Sequence, residues 1–301
     1  MKIKFLGIAL FLIYCGIIPG EKTGYVPGKS YYGKMNFTEY IAGNIPIVIS
    51  VPHDGNLKPE LIPDRKSGAT GRDYGTMEIA LRIRDRIVEQ TGKTPHLVIM
   101  HLSRKKLDAN RDADEAAQGN SMALEAWEEY HGFIETAIIE SEKEYGAVLY
   151  VDLHGHKHAK ERIEIGYCLD ADLLSVDDEM LNDEIITERS SLRKLVDMLN
   201  ISHSELVRGE RSLGAIFDKY EIKSTPAPSD IYPDAGNYFS GGYTTMRHTV
   251  MNERNAAGFQ LELNRDIRGE GQNARTGDLL ADVIVEYYEN YFGKTVNIKK
   301  N

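Results

Sequence analysis

Apolar residues run along this chain in two alternating rhythms. Ile45-Pro-Ile-Val-Ile-Ser-Val51 is a nearly unbroken apolar run that stops at Pro52, the pattern of a strand buried on both faces. Residues 96–102 and 147–153 repeat it, and 258–263 does so more weakly. Between the first two runs, residues 76–91 mix Ile79, Leu81, Ile83 and Ile87 with charges, as an amphipathic helix does. Residues 121–145 and 279–291 are further helical stretches. This alternation predicts an α/β fold: one three-layer domain whose mixed, mostly parallel central sheet is flanked by helices.

Three segments depart from the rhythm. Residues 1–20 carry Lys2 and Lys4, then an apolar run over 5–18 closed by Pro19-Gly20. A basic start and a short apolar stretch predict an export signal or N-terminal anchor rather than a membrane span, which needs roughly 20 apolar residues. A first buried strand or helix is the rival reading. Lipid attachment at Cys15 stays open, although Tyr14 stands where a small residue would be expected. Residues 21–44, rich in Gly, Tyr, Lys and Thr, read as a linker or edge segment ahead of a domain spanning 45–301. Residues 170–233 are more polar, contain Asp177-Asp-Glu179 and end in Thr225-Pro-Ala-Pro-Ser-Asp230. They read as an insertion between sheet strands, with one amphipathic helix near 191–199.

Composition narrows the chemistry. The formal net charge of −10 argues against a nucleic-acid backbone as partner, because counterion release needs clustered cations. There are only two cysteines, and Cys15 lies inside the expected signal. The remaining Cys168, in the strand-like Ile163-Glu-Ile-Gly-Tyr-Cys-Leu169, reads as a core residue rather than a nucleophile. Any metal must therefore be held by histidine and carboxylate.

In open α/β sheets, ligands collect beyond the carboxyl ends of the strands. The first run ends at Pro52-His53-Asp54-Gly55 and the third at Asp152-Leu-His-Gly-His156. The last carries Glu262 in Gln260-Leu-Glu-Leu-Asn-Arg265. Two histidines and carboxylates at one edge are what a catalytic zinc site requires. Glu262 alternates with leucines, where an unpaired carboxylate is costly. A general base and a structural ion pair with Arg265 are the two readings of it. The cationic run Ser103-Arg-Lys-Lys-Leu-Asp-Ala-Asn-Arg111 is either a solvated loop or a guanidinium fork for a substrate carboxylate.

Five motifs in order carry a resemblance: Val51-Pro-His-Asp-Gly55, Leu107-Asp-Ala-Asn-Arg111, Asp152-Leu-His-Gly155, Gly241-Gly-Tyr-Thr-Thr245 and Gln260-Leu-Glu-Leu263. Together they resemble the N-formylglutamate amidohydrolase family, within the wider group of zinc carboxypeptidase-like and aspartoacylase-related enzymes. The resemblance implies a hydrolase-like fold and one Zn2+ per chain held by His53 and His154. The third ligand it implies is Asp73, in Gly71-Arg-Asp-Tyr-Gly75, with Glu60 and Glu78 behind it; a helix N-cap is the other reading of Asp73. Carboxypeptidase-like enzymes place a Glu three residues after the first His, where this chain has Asn56. The resemblance makes Glu262 the general base and gives Asn110 and Arg111 to a substrate carboxylate; Arg104, in the cationic run, is a further candidate for substrate contact. Arg247 is a candidate for the substrate carbonyl. His156 and His158 fall outside the ligand set, and His101, His131, Trp127 and Tyr130 read as packing and surface residues. The expected substrate is a small or peptide-like carboxylate with a linear amide, an N-acyl amino acid above all. A zinc carboxypeptidase, a cell-wall or γ-glutamyl peptide hydrolase, and a non-catalytic binding protein are the alternatives. Any membrane contact would come through the N-terminal anchor.

Overall fold

The computed structural model describes residues 24–293. The expected signal or anchor at 1–20, with Cys15, lies outside the described residues. Eight strands form one sheet: β1 (Ser30–Tyr32), β2 (Thr38–Ile41), β3 (Ile47–Val51), β4 (His96–Met100), β5 (Val148–Gly155), β6 (Ile163–Gly166), β7 (Ser224–Thr225) and β8 (Ala256–Leu263). Their order is β1-β2-β4-β3-β5-β8-β6-β7. The central strands β4, β3, β5 and β8 are mutually parallel, and β1, β2 and β6 enter antiparallel to their inner neighbours. The sheet is thus mixed and mostly parallel, as the sequence pattern predicts. Of the expected linker or edge segment, residues 24–44 contribute the edge strand β1 and its neighbour β2.

Alternation along each strand divides the side chains between two faces. Ile47, Ile49 and Val51 of β3, Leu149, Val151 and Leu153 of β5, and Phe259, Leu261 and Leu263 of β8 form one core. That core packs against α1 (Thr76–Thr91) and against the C-terminal helix 273–291. Val48, Val98, Val148 and Tyr150 face the other way, onto the second core beneath α2 (Ala113–Ala117) and α3 (Ser121–Tyr145). In α3, Ala123, Trp127, Tyr130, Ile134, Ala137 and Ile138 recur at helical spacing and are buried. Asn120 starts that helix by accepting from Ala123 N at 2.9 Å, and Gly146 ends it at φ 84°.

Two departures from the sequence pattern matter for the site and its packing. β5 continues to Gly155 because its register with β8 runs through His154↔Glu262 and Gly155↔Leu263. His154 therefore stands inside the strand rather than after it. The last helix begins at Asn273, not at 279. Its first turns, Asn-Ala-Arg-Thr-Gly, look loop-like in sequence, but Gly277 lets α1 approach closely: a Cβ there would lie 2.6 Å from Arg82 Cβ.

Between β6 and β7 the chain forms six short helices, α4 (Ala171–Leu174), α5 (Asp178–Leu181), α6 (Glu184–Thr187), α7 (Arg193–Leu199), α8 (His203–Arg208) and α9 (Leu213–Lys219). Leu174, Leu181, Leu195, Leu206, Leu213 and Phe217 carry them onto the first core despite the polar composition. They are followed by α10 (Tyr243–His248) and then by α11 (Asn273–Tyr291). Cys168 has its thiol pushed up to about 12, chiefly by burial. That state is inert, in keeping with a packing role.

His96 opens β4 and gives a readable acid response. It is buried; its Nδ1 lies 2.8 Å from Tyr40 Oη and accepts from Gly43 N at 3.1 Å. Burial lowers its pKa to about 4. In the unfolded chain it would titrate near ~6.5, so between those values the unfolded state binds the extra proton and acid destabilises the fold. His96 alone should cost about 3 kcal/mol as pH falls across that window. NMR titration should find its imidazole neutral at pH 5, with urea stability declining over the same range. A midpoint near 6.5 in the folded protein would exclude this account.

Candidate metal centre

Three side chains meet at the carboxyl edge of the sheet. His53 follows β3, His154 lies on β5, and Asp73 lies in the loop ahead of α1; all are buried. Their ligand atoms lie within 4.8 Å of one another. Asp73 Oδ2 is 3.3 Å from His53 Nδ1 and 3.4 Å from His154 Nδ1, and the rings stand edge to face at 4.8 Å between centroids. The backbone fixes this meeting: Asp73 N donates to His53 O at 3.1 Å, and Gly155 N donates to Asp73 Oδ2 at 3.2 Å.

Asp73 is not the side-chain cap of α1. Gly75 occupies the N-cap at φ 91° with no side-chain bond, and Asp54 Oδ2 accepts from Met77 N at 2.8 Å instead. With the helix end served by Asp54, Asp73 is turned to the histidines. Glu60 and Glu78 are exposed and outside the cluster, and Glu78 is engaged by Asn273.

Each histidine carries a carboxylate behind it. His53 Nε2 is 2.7 Å from Asp108 Oδ1, and His154 Nε2 is 3.1 Å from Asp152 Oδ2, although off the line of a good hydrogen bond. Asp108 is held in turn by Arg104 Nε at 2.9 Å and by Asn110 N at 3.1 Å. Asp152 accepts from Ser50 Oγ at 2.6 Å and Thr245 Oγ1 at 3.1 Å. Such partners fix the tautomer and ring angle of a metal-binding histidine. Burial opposes charge on Asp73, Asp108 and Asp152. The histidines overcome it, aided by Arg104 at Asp108 and by Ser50 and Thr245 at Asp152, and all three carboxyls are held below the ordinary carboxylate range. His154, also desolvated, is raised well above an ordinary imidazole by Asp152 and Asp73.

Glu262 stands beside His154 on β8. Its Oε1 accepts from Gln260 Nε2 at 2.9 Å, while its buried Oε2 has no partner. It forms no ion pair with Arg265, which is exposed. Burial raises the Glu262 pKa to about 8; the negative charges of Asp73 and Glu164 add to the rise, and the positive charges of His154 and Arg104 oppose it. Glu164 lies directly opposite Glu262 in the antiparallel register and so shares its face.

The other expected residues are placed less uniformly. Arg104 is drawn to the centre through Asp108. Asn110 is buried, and its Oδ1 accepts from Thr244 N at 2.8 Å, tying the second-strand loop to α10. Arg111, partly exposed at the rim, spends Nε on Glu115 and Nη1 on Asn110 O. Arg247 is not brought into the cluster: it lies over the Trp127 ring at 5.0 Å and donates to Tyr243 Oη at 3.1 Å. A second group, His156, His158 and Glu164, also gathers ligand atoms. Here His158 Nδ1 is only 2.7 Å from Glu164 Oε1, a closed hydrogen bond, while His156 Nε2 donates to Arg162 O and Nδ1 accepts from His158 N. These hydrogen bonds join it into a bracket around Glu164.

The carboxylates Asp108, Asp152 and Glu164 are the residues that sequence reasoning passes over. The first two sit inside quoted motifs, and Glu164 repeats in Ile-Glu-Ile the alternation that marks Glu262. If the cluster takes zinc, Asp108→Asn should weaken zinc affinity about 10–100-fold, as loss of such a bracing carboxylate does. Asp73→Asn should weaken it further, and Glu60→Gln and Glu78→Gln should leave it unchanged. Competition with a chelating dye reads all four, and an effect of Glu78 equal to that of Asp73 would reassign the third ligand.

No family model matches the chain, and no curated protein matches it in sequence. Solved structures do. A gene product of Agrobacterium tumefaciens, Atu2144, superposes with a TM-score of 0.50 at 15% identity over 82% of this chain and 92% of that one. The N-formylglutamate amidohydrolase of Ralstonia eutropha JMP134 does so with a TM-score of 0.50 at 14% identity, over 83% and 97% of the two chains. At that identity the likeness speaks to architecture, and the chain has the same α/β fold as these two proteins.

Proposed function

We propose that the chain is a metal-dependent hydrolase of a linear amide, acting on an N-acyl amino acid or a peptide-like relative that carries a carboxylate. The observation that carries this reading is the spacing at Asp73. Hydrogen-bonded N···O pairs close to about 2.9 Å, whereas ligands about 2.0–2.1 Å from a tetrahedral ion stand roughly 3.3 Å apart. The two contacts at 3.3 and 3.4 Å have the second spacing. Both rings have carboxylates behind them, and an unpartnered Glu262 oxygen lies alongside. The residues present therefore fit a zinc-sized cation held by His53, Asp73 and His154. The fold shared with an N-formylglutamate amidohydrolase supports the same class of reaction.

Zinc bound there would polarise the amide carbonyl and make a water acidic near neutral pH. The chain's own residues supply the rest. Asp108 and Asp152 keep both imidazoles aimed, so no reorientation is needed during turnover. Glu262 Oε2 is the atom suited to take a proton from the attacking water and pass it to the leaving nitrogen as the C–N bond breaks. Its raised pKa, brought down by a neighbouring dication, would sit closer to the working pH than that of an exposed carboxylate. Water and amide become a carboxylic acid and an amine, and the proton count closes on Glu262. Arg104 adds positive potential beside Glu262. Arg111, with donors still uncommitted at the rim, and Asn110 are the proposed seat of the substrate carboxylate. Export of the chain is part of the proposal and places the substrate outside the cytoplasm.

Glu262→Gln should bind one zinc per chain like the parent and lose about 10²–10⁴-fold in turnover, the usual range for a lost general base. Metal content and hydrolysis of N-formyl- and N-acetyl-amino acids and γ-glutamyl peptides by the mature protein read both quantities. Retained turnover in Glu262→Gln removes this residue from the role. Absence of bound metal and of metal-activated hydrolysis returns the chain to the binding-protein alternative.

A further inference from the structure

Of the five sequence motifs, Gly241-Gly-Tyr-Thr-Thr245 supplies neither a candidate ligand nor a proton carrier. In the fold it is the turn that opens α10, and its polar groups reach three parts of the centre at once. Gly242 N donates to Gln260 Oε1 at 2.7 Å, Thr244 N donates to Asn110 Oδ1 at 2.8 Å, and Thr245 Oγ1 donates to Asp152 Oδ2 at 3.1 Å. The turn is seated on β6. Gly241 adopts φ 117°, a conformation that favours glycine, and a Cβ on Gly166 would lie 2.5 Å from Gly241 N.

A backbone N–H can only donate, and that fixes the direction of the bonds beyond it. Gly242 N–H requires the oxygen of the Gln260 carboxamide. Gln260 therefore turns its nitrogen to Glu262, where Nε2 donates to Oε1 at 2.9 Å. Facing that donor, Oε1 must accept. A protonated Glu262 thus carries its hydrogen on Oε2, the buried oxygen with no partner. Asn110 is held in the same way: Thr244 N–H takes its oxygen, which leaves Nδ2 uncommitted among the described residues. Gly242 makes the fit tight. Its backbone (φ −100°, ψ −173°) lies in the region open to any residue, yet a Cβ there would lie 2.6 Å from Asn110 Cγ.

We propose that the turn Gly241–Thr245 orients base and substrate together: through Gln260 it keeps the transferred proton of Glu262 on Oε2, and through Asn110 it offers Nδ2 to the substrate carboxylate. The proposal rests on the amidohydrolase reading and deepens it, with Gln260 as a positioning residue. The proton taken from water enters at Oε2 and leaves from the same atom to the amide nitrogen as the C–N bond breaks, while Oε1 accepts from Gln260 throughout. No rotation of the carboxyl group is needed between the two transfers.

Infrared spectroscopy tests the place of the proton. In the full-length protein, with metal chelated and the pH below neutral, the carboxyl C=O band of Glu262 is the one lost in Glu262→Gln. A hydrogen bond to the carbonyl oxygen lowers that frequency, so the band should move up in Gln260→Met. An unmoved band overturns the proposal, because Oε1 is then not the carbonyl that Gln260 holds. Kinetics of the zinc-loaded protein on N-formyl- and N-acetyl-amino acids test the consequence. Gln260→Met should lower kcat about tenfold or more, the scale of a lost hydrogen bond to a charged group, with KM and zinc affinity unchanged. Gly242→Ala, which displaces Asn110, should raise KM about tenfold or more. Equal losses in kcat, KM and zinc affinity for Gln260→Met mark a general structural role and overturn the proposal, and an unchanged KM in Gly242→Ala overturns its Asn110 limb. The band shift is read without substrate or zinc. Failure of the amidohydrolase reading therefore shows as absent hydrolysis beside an intact shift, and failure of the positioning role as hydrolysis without one.

Discussion

Burying carboxylates is the constraint from which this structure follows. Asp73, Asp108, Asp152 and Glu262 are all more than nine-tenths shielded from water at one edge of the sheet. A lone ionised carboxylate in such a place costs several kcal/mol and would ordinarily take up a proton. The chain answers by interleaving them with His53 and His154, so that Asp108, His53, Asp73, His154 and Asp152 form one alternating row. Arg104 closes the row at the Asp108 end, and Ser50 and Thr245 close it at the Asp152 end. The row is still short of positive charge, because Glu262 joins it with an unpartnered oxygen. A dication at Asp73 would remedy that deficit and displace the proton that His154 otherwise holds.

The architecture serves the row more than it serves any single residue. Ser50 lies on β3 and Asp152 and His154 on β5, with Thr245 on α10; the parallel register β3–β5–β8 brings them together on the face toward α3 and α10. Tyr150 Oη, 2.6 Å from Ser50 Oγ, carries the network one pleat deeper into the second core. A shift of one residue in β5 would turn Asp152 and His154 to the opposite face and abolish the row, so the apolar alternation on β5 also fixes the chemistry. This is why so continuous an apolar strand tolerates charge only at its last residues, where the sheet ends and loops can supply partners.

What the sequence makes legible follows from the same physics. β3, β4, β5, α1 and α3 are long and strongly patterned, and the structure finds them close to where the pattern puts them. The helices from 171 to 219 are four to seven residues long, too short for a period to declare itself, and only their leucines betray the burial. His53, His154 and Glu262 stand out because each interrupts or ends an apolar run. Asp73 does not, since an acid before a helix is ordinary capping chemistry; only the resemblance to a family singles it out, and only the folded structure has Asp54 taking the helix end. Asp108 and Asp152 are hidden by their neighbours in the motifs, whose Asn, Arg and His carry the more familiar meanings. Glu164 shows the same alternation as Glu262, but its importance depends on an antiparallel pairing of β6 with β8 that no local pattern specifies. Arg247 is the converse case. Its position in the motif order suggests the site, and the helical spacing from Tyr243 carries it to the Trp127 face instead.

The pairing of Glu164 with Glu262 has one further consequence. Two carboxylates directly opposed on adjacent strands would repel each other unless one is neutralised or both are bonded. The bracket of His158 and the backbone N–H of Phe239 commits both oxygens of Glu164, at 2.7 and 2.8 Å. Its charge is thereby fixed in place and cannot swing towards the centre to compete for a cation. Glu262 is left as the member of the pair with a free oxygen, facing His154 on one side and a fixed negative charge on the other. The group of His156, His158 and Glu164 thus keeps Glu164 bonded, and under the proposed function proton transfer would fall to Glu262.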